Sequence, residues 1–286
     1  MTVYNAEKFL NEAIRSLVDQ TFQEWELVVI DNGSRDESPA ILSGYADTRI
    51  RMELLGENIG RTPALRRAFN LARGEYIAVL DADDVSHPER LVRQIAYLDA
   101  HPGVVVVGTW AKRIDVDSVV TGDYSPPTDA AAIRDSFGWT NPIIHSSAMY
   151  RRANAAAVGG YPADLPYSAD CGLWLRLGEV GELAIIDEQL CSYRVVPQSV
   201  TRSTKLQGDV ASDIHHMYSE ARRRLQLSPE SLRKNREELT IARCRYGLAL
   251  AQSGRSFEAA RVLGAELLSN PRGMIWNRVV RAWLGR

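Results

Sequence analysis

The 286-residue sequence predicts an α/β protein with a mostly parallel sheet flanked by helices and a separate helical segment at its C-terminal end. Three observations carry that expectation. Short apolar runs alternate with stretches of helical periodicity over roughly the first 113 residues, the pattern of repeated strand–helix–strand units. Several of those runs stop abruptly on Asp, Asn or Gly, residues that terminate strands in turns. From about residue 205 the strand pattern disappears and only helical periodicity remains.

In chain order, the run MTV before YNAEKF is cut short at its front, so its strand either begins upstream of Met1 or is only a stub. Asn5 is placed to cap a helix over 6–19, with Phe9, Leu10, Ala13, Ile14 and Leu17 on one face. WELVVI (25–30) reads as a buried strand ended by DNGS, and a helix follows over 36–45. RIRMELL (49–55) is a weaker strand, 62–72 a helix, and EYIAVL (75–80) a strand. HPERLVRQIAYLDA (87–100) is a helix that His87 and Pro88 open, with Ser86 as its cap, and VVVVGT (104–109) is a strand. Periodicity fades between 114 and 140, where SPPTDAAAIRDSF reads as loop and short helix. NPIIHSSAMYRR (141–152) enters an apolar strand, AAAVGGYP is a short helix, 169–178 is a helix with Leu173, Trp174 and Leu177 inward, and 182–196 is extended. Residues 242–271 resemble one tetratricopeptide-like helical hairpin, a unit that must pack on the α/β body, on another subunit, or on both.

Charge is unevenly placed. Residues 1–201 carry 18 Lys/Arg against 28 Asp/Glu, and residues 202–286 carry 16 against 8. A basic tail on an acidic body fits a solvated helical surface or a peripheral contact with anionic lipid, and nothing points to nucleic acid. Cys171, Cys191 and Cys244 are odd in number and form no CxxC pair, as expected of a reducing compartment such as the cytoplasm. No apolar run approaches the ~18 residues needed to span a bilayer.

The chemistry concentrates where predicted strands end. In GEYIAVLDADDVSHPERL (74–91) a buried run stops on Asp81, Asp83 and Asp84, carboxylates close enough to raise one another's pKa. An Asp-x-Asp held by a strand can project two carboxylates towards one point and bind Mg²⁺ or Mn²⁺, cations that keep coordination positions open for phosphate oxygens. The same residues also read as a solvated loop with a helix cap. Asp31 and Asn32 occupy a second strand end, where Asn32 could bond a base edge and Asp31 a ribose, or where DNGS is simply a turn. Because ligands of such sheets sit beyond the strand carboxyl ends, these two places are expected to meet. Arg61, Arg66 and Arg67 follow ENIG; one of them, Arg66 in this reading, reaches phosphate or base. His145, in an apolar stretch, is either a buried structural histidine or a ligand contact. Asp170 is either a helix cap or a carboxylate that takes a proton from an acceptor hydroxyl. LDADDV also fits a haloacid-dehalogenase-type phosphatase, but that chemistry needs a lysine at a later strand end and a second acidic pair; none of Lys112, Lys205 and Lys234 follows a convincing strand end, and no DD pair appears after residue 84.

TVYNAEKFLNEAIRSLVDQTFQEWELVVIDNGSRDES, ENIG, ARGEYIAVLDADDVSHPERL, HPGVVVVGT, NPIIHSSAMYRR and ADCGLWLRLGEVGELAIIDEQLCSYRVVPQSVT, in that order and spacing, resemble the family 2 glycosyltransferases of the GT-A, Rossmann-like fold over about residues 2–201. The resemblance implies an inverting transfer from a nucleoside-diphosphate sugar, a UDP-sugar being favoured, to a hydroxyl of a glycan or lipid-linked acceptor in cell-surface polysaccharide or glycoconjugate synthesis. It implies a nucleotide-sugar-binding half over 1–113, an acceptor-binding half over 114–204 and a helical tail over 205–286 that contacts the inner membrane face or forms a homodimer. Carried over by position, it implies donor contacts from Thr2, Val3, Tyr4, Asp31, Asn32, Asp81, Ala82 and Asp83, with Asp83 on Mn²⁺ or Mg²⁺. Asp170 matches the general base, and His145 and Arg194 fall where acceptor or diphosphate contacts are expected. Departures stand at Thr2, Asn32, Ala169, Gly172 and Val196, where the family often has Pro, Asp, Glu, Asp and His. They leave the base open and keep two alternatives: a sugar-nucleotide-binding scaffold without turnover, and a nucleotidyltransferase, which would need a glycine- and lysine-rich first loop that TVYNAEKF does not supply.

Overall fold

The computed structural model describes residues 1–196 and 207–269. Their contacts separate into two units, one of residues 1–133 with 141–196, the other of residues 134–140 with the C-terminal segment.

The first unit begins as the sequence pattern dictates. Strand β1 (Thr2–Val3) pairs in parallel with β2 (Leu27–Asp31), and β2 in parallel with β3 (Ile50–Leu54). All five residues of β2 are buried, as a continuous apolar strand requires. Helix α1 (Glu7–Val18) turns Leu10, Ala13, Ile14 and Leu17 into the same core as Val3, Val29 and Leu42. Helix α2 (Ser38–Ser43) follows β2, and α3 (Arg61–Leu71) follows β3. Asn5 is not the cap of α1. Ala6 occupies that position, and Asn5 sits in the left-handed region at φ 50° with its side-chain oxygen accepting from the Arg35 amide. The free amides at the start of α1 are instead met by the neighbouring loop: Ala6 N–H donates to Ser38 Oγ and Glu7 N–H to Asp36 Oδ2. Glu7 reciprocates by accepting from the Glu37 amide, so the DNGSRDES loop and the first helix cap one another.

The remaining strands are β4 (Tyr76–Ala78), β5 (Val85–Ser86), β6 (Val104–Ile114), β7 (Val120–Tyr124), β8 (Met149–Arg151) and β9 (Glu182–Arg194). They form a second sheet in the order β4-β8-β6-β9-β5, with β7 paired to β6. Only β6 and β9 are parallel; the pairs β4–β8, β6–β8, β6–β7 and β5–β9 are antiparallel. The expectation of one mostly parallel sheet is therefore wrong: a small parallel sheet stands beside a larger mixed one. The alternation rule assumes a helical crossover after every strand, and that holds from β1 to β3. After β6 the chain instead turns back through a hairpin into β7 without a helix. It then enters β8 from a 3-10 turn (His145–Ser147) running against both of its neighbours. Likewise only three residues of the 141–152 stretch are strand. Ser86 lies in β5 and accepts from Gln20 Nε2; it does not cap α4 (Arg90–Ala100), which begins at Arg90.

Helices α5 (Ala130–Ser136), α6 (Arg152–Ala157) and α7 (Ala169–Leu177) complete the run to residue 196. Among the described residues the two sheets share no backbone pairing, and a cavity of ≈ 480 Å³ lined by Leu27, Val28, Leu65, Phe69, Tyr76 and Ile77 lies between them. In the second unit, α9 (Pro229–Gln252) and α10 (Ser256–Ser269) form a helical hairpin after α8 (Gln207–Arg224). Gly247 lets the pair close, because a Cβ there would stand 2.8 Å from Leu263. The last residues assigned to that hairpin from sequence, 270 and 271, lie outside the described residues, as does all of PQSVT (197–201). Cys171, Cys191 and Cys244 are unpaired and buried. Among the described residues no helix is long and apolar enough to cross a membrane.

Candidate active site

The loop that follows β4 carries Asp81, Asp83 and Asp84, and the three carboxylates have three different environments. Asp81 is gripped by the 3-10 turn. Its amide donates to Ser146 Oγ at 3.0 Å, and its Oδ1 lies 2.9 Å from His145 Nδ1. Its Oδ2 lies 3.6 Å from Arg61 Nη2. Burial would raise the Asp81 carboxyl, but its contacts with His145 and Arg61 outweigh it and hold the group well below the usual carboxylate range. Among the described residues Asp83 has no such side-chain partner. Burial and the Asp81 charge push it up to about 6. Asp84 is buried and raised by burial and by Asp83 and Asp81; its Oδ1 accepts from the Arg194 amide at 2.7 Å. Asp84 thus braces β9, Asp81 is held by Arg61 and by the His145 ring, and Asp83 is the carboxylate left in need of positive charge. Ala82 is buried against the apolar core between them.

Arg61, the first residue of α3, links the parts. Its guanidinium feels the charges of Asp81, Asp170 and Asp83, which together raise it against the effect of burial. Asp170 lies in the first turn of α7, where the helix dipole favours a carboxylate, and its Oδ2 accepts from Asn141 Nδ2 at 3.0 Å. It is not the cap of that helix, since Ser168 holds the cap position. Arg66 points elsewhere: its Nη1 donates to the carbonyls of Tyr161 and Gly159. Arg67 pairs with Glu53. The position of Arg61 depends on which side of α3 meets the β4 loop, and three arginines within seven residues gave no sequence signal to choose between them.

At the end of β2, Asp31 Oδ1 accepts from the Ser34 amide, whereas the buried Oδ2 has no hydrogen-bond partner among the described residues. The Asn32 amide is wholly engaged with ENIG. Its Nδ2 donates to Asn58 Oδ1 and to Gly60 O, and its Oδ1 accepts from the Ile59 amide. Gly33 makes that approach possible: it sits at φ 77°, and a Cβ on it would lie 2.5 Å from the Glu57 carbonyl carbon. At the end of β1, Thr2 is partly exposed, Val3 is buried in the core and Tyr4 is 51% exposed.

Arg194 closes the back of the site with a buried side chain. Its Nε donates to Asp83 O, Nη1 to Asp115 O and Ser118 Oγ, and Nη2 to Glu12 Oε2 at 2.6 Å, while the guanidinium stacks 4.4 Å from the Phe9 ring. Its donors are taken up by protein groups. Among the described residues no three His, Cys, Asp or Glu side chains converge as a protein-only metal centre would. A cation at Asp83 would therefore need oxygens from a ligand to complete its shell, which suits Mg²⁺ and Mn²⁺.

The sequence pattern described as "Glycosyl transferase family 2" matches residues 1–159, more than half of the chain. The chain belongs to that family. A glycosyltransferase of Methanocaldococcus jannaschii, itself uncharacterized, is 30% identical over 201 residues, covering 68% of this chain and 69% of that protein. In fold, the chain is similar to TarS 1-349 of S. aureus in complex with UDP-GlcNAc (TM-score 0.64, 20% identity, 86% of this chain and 70% of that one). It is also similar to the mannosyltransferase PcManGT of Pyrobaculum calidifontis in complex with GDP-Man and Mn²⁺ (TM-score 0.60, 20% identity, 98% and 81%). This family 2 protein is accordingly a glycosyltransferase, an enzyme that moves a sugar from a nucleoside-diphosphate sugar to a hydroxyl acceptor.

Proposed function

We propose that the protein is a metal-assisted, inverting glycosyltransferase whose donor lies across the ends of β2 and β4, with Asp170 as the general base. The observation that carries this reading is the position of Arg61, 3.6 Å from Asp81 and near enough to Asp83 and Asp170 for their charges to act on its guanidinium. Asp83 is the residue that would hold the cation, Mn²⁺ or Mg²⁺, together with diphosphate oxygens; a cation there supplies neutralisation of the charge that grows on the departing diphosphate. Arg61 adds a fixed positive charge on the same side. Asp31 Oδ2, a buried acceptor without a donor among the described residues, is suited to a base N–H such as that of uracil or to a ribose hydroxyl, and a UDP-sugar is the favoured donor. Asp170 takes the proton from the acceptor hydroxyl as that oxygen attacks the anomeric carbon from the face opposite the diphosphate. The acceptor is a hydroxyl on a glycan or a lipid-linked glycan, and the basic tail is the surface that would meet anionic lipid.

The test is a screen of UDP-, GDP- and other nucleotide sugars with Mn²⁺ and Mg²⁺, following release of the nucleoside diphosphate. In the donor and acceptor pair that works, Asp170→Asn should lower kcat by roughly 10²–10⁴ while calorimetry finds donor affinity unchanged. Full turnover in that variant, or release of pyrophosphate in place of a nucleoside diphosphate, overturns the reading.

A further inference from the structure

Behind Asp81 lies a row of buried polar groups that the transfer reaction does not touch. His145 is 4% exposed, and Tyr161 and Tyr150 are buried completely or nearly so. His145 Nδ1 is 2.9 Å from Asp81 Oδ1, His145 Nε2 is 3.0 Å from the Tyr161 hydroxyl, and the Tyr150 hydroxyl donates to that of Tyr161 at 3.3 Å. The rings are fixed by packing. Tyr161 meets the imidazole edge-on at 5.9 Å between centroids, and Trp174 lies against both His145 (6.4 Å) and Tyr150 (5.6 Å).

The direction of each bond follows from chemistry. An ionised carboxylate only accepts, so Nδ1 carries the hydrogen that points at Asp81. Nε2 is then an acceptor for the Tyr161 hydroxyl, which in turn accepts from Tyr150. Burial raises both phenols far from ionisation, Tyr161 further through its neighbour Tyr150, so each stays a donor. The row therefore fixes one tautomer and one ring orientation of His145. With Oδ1 held from behind and the amide held by Ser146, the second oxygen of Asp81 is left facing Arg61 and the donor side.

We propose that His145, backed by Tyr161 and Tyr150, is a positioning residue that aims Asp81 at the donor, and that it makes no contact with donor or acceptor itself. This rests on the reading of Asp81 as a donor-contacting carboxylate. The arrangement fixes Asp81 in advance, so donor binding does not have to order it.

The test compares donor affinity by calorimetry, and donor KM and kcat, in His145→Ala, His145→Asn, His145→Gln, Tyr161→Phe and Asp81→Asn. The amide nitrogen of an asparagine can take the place of Nδ1, whereas that of a glutamine takes the place of Nε2. His145→Ala and His145→Gln should raise donor KM about tenfold or more with a smaller change in kcat, and His145→Asn should recover most of the loss. Tyr161→Phe, which keeps the ring and its packing, should raise donor KM two- to fivefold, and it serves if the alanine variant does not fold. Adding His145→Ala to Asp81→Asn should cost nothing further. Equal donor KM in the His145→Asn and His145→Gln variants, or a Tyr161→Phe enzyme identical to the parent, overturns the proposal. Unchanged donor binding in Asp81→Asn instead defeats the reading of the site on which it rests.

Discussion

Arg61 Nη2 stands 3.6 Å from Asp81 Oδ2 and 3.1 Å from His145 Nδ1, so one guanidinium from the start of α3 meets a carboxylate on the β4 loop and an imidazole on the 3-10 turn. Since the imidazole hydrogen points at Asp81, the favourable partner of Arg61 is the carboxylate. Arg61→Met removes that partner without removing volume. The pair is about a third exposed, so its loss is discounted to about 1 kcal/mol, or roughly fivefold in donor affinity. Calorimetry with the nucleotide-sugar donor checks this, and Arg66→Met, which faces the 159–161 backbone, should leave donor affinity within twofold.

The raised Asp83 carboxyl makes cation binding pH-dependent. The native metal-free protein holds this proton up to about pH 6, whereas an unfolded chain releases it near its ordinary value of about 4. Stability contributed by the group is therefore present below about pH 4 and lost as pH rises to about 6. A cation reverses that trend because it needs the ionised carboxylate. Mn²⁺ added together with a nucleoside diphosphate should raise the melting temperature clearly at pH 7.5 and little at pH 5, with cation affinity falling about tenfold per unit below pH 6. In Asp83→Asn the cation-induced shift should vanish at both pH values.

Asn32→Asp places a carboxylate against two acceptors, Asn58 Oδ1 and Gly60 O, where an amide donated before. The loss of both bonds in a buried place should cost about 1–3 kcal/mol of stability. Urea unfolding measures the total, and hydrogen exchange should localise the loosening to residues 57–60.

Much of this was legible beforehand, for reasons that can be stated. β2 and α1 were, because a continuous buried run and a single apolar face are written in residue order. The acidic loop was, because three carboxylates directly after an apolar run are conspicuous. Strand direction was not. Residues 149–151 look alike whether the chain enters β8 from one end or the other, and only the missing crossover helix after β6 decides it. Strand β7 was hidden because VTGDY is largely exposed and shows no buried alternation. Asn32 looked like a base reader, but its amide is spent on a loop 26–28 residues away. His145 drew attention as a histidine in an apolar stretch, while its partners lie 64 and 16 residues distant and no local pattern names them.

The buried Arg194 also gives the β6–β7 hairpin a voice in the chemistry. One guanidinium joins the Asp83 carbonyl to Asp115 and Ser118 at the tip of that exposed ribbon and to Glu12 on the first helix. Lengthening or shortening the tip would be transmitted through that one guanidinium to the backbone of the acidic loop, with every aspartate left in place.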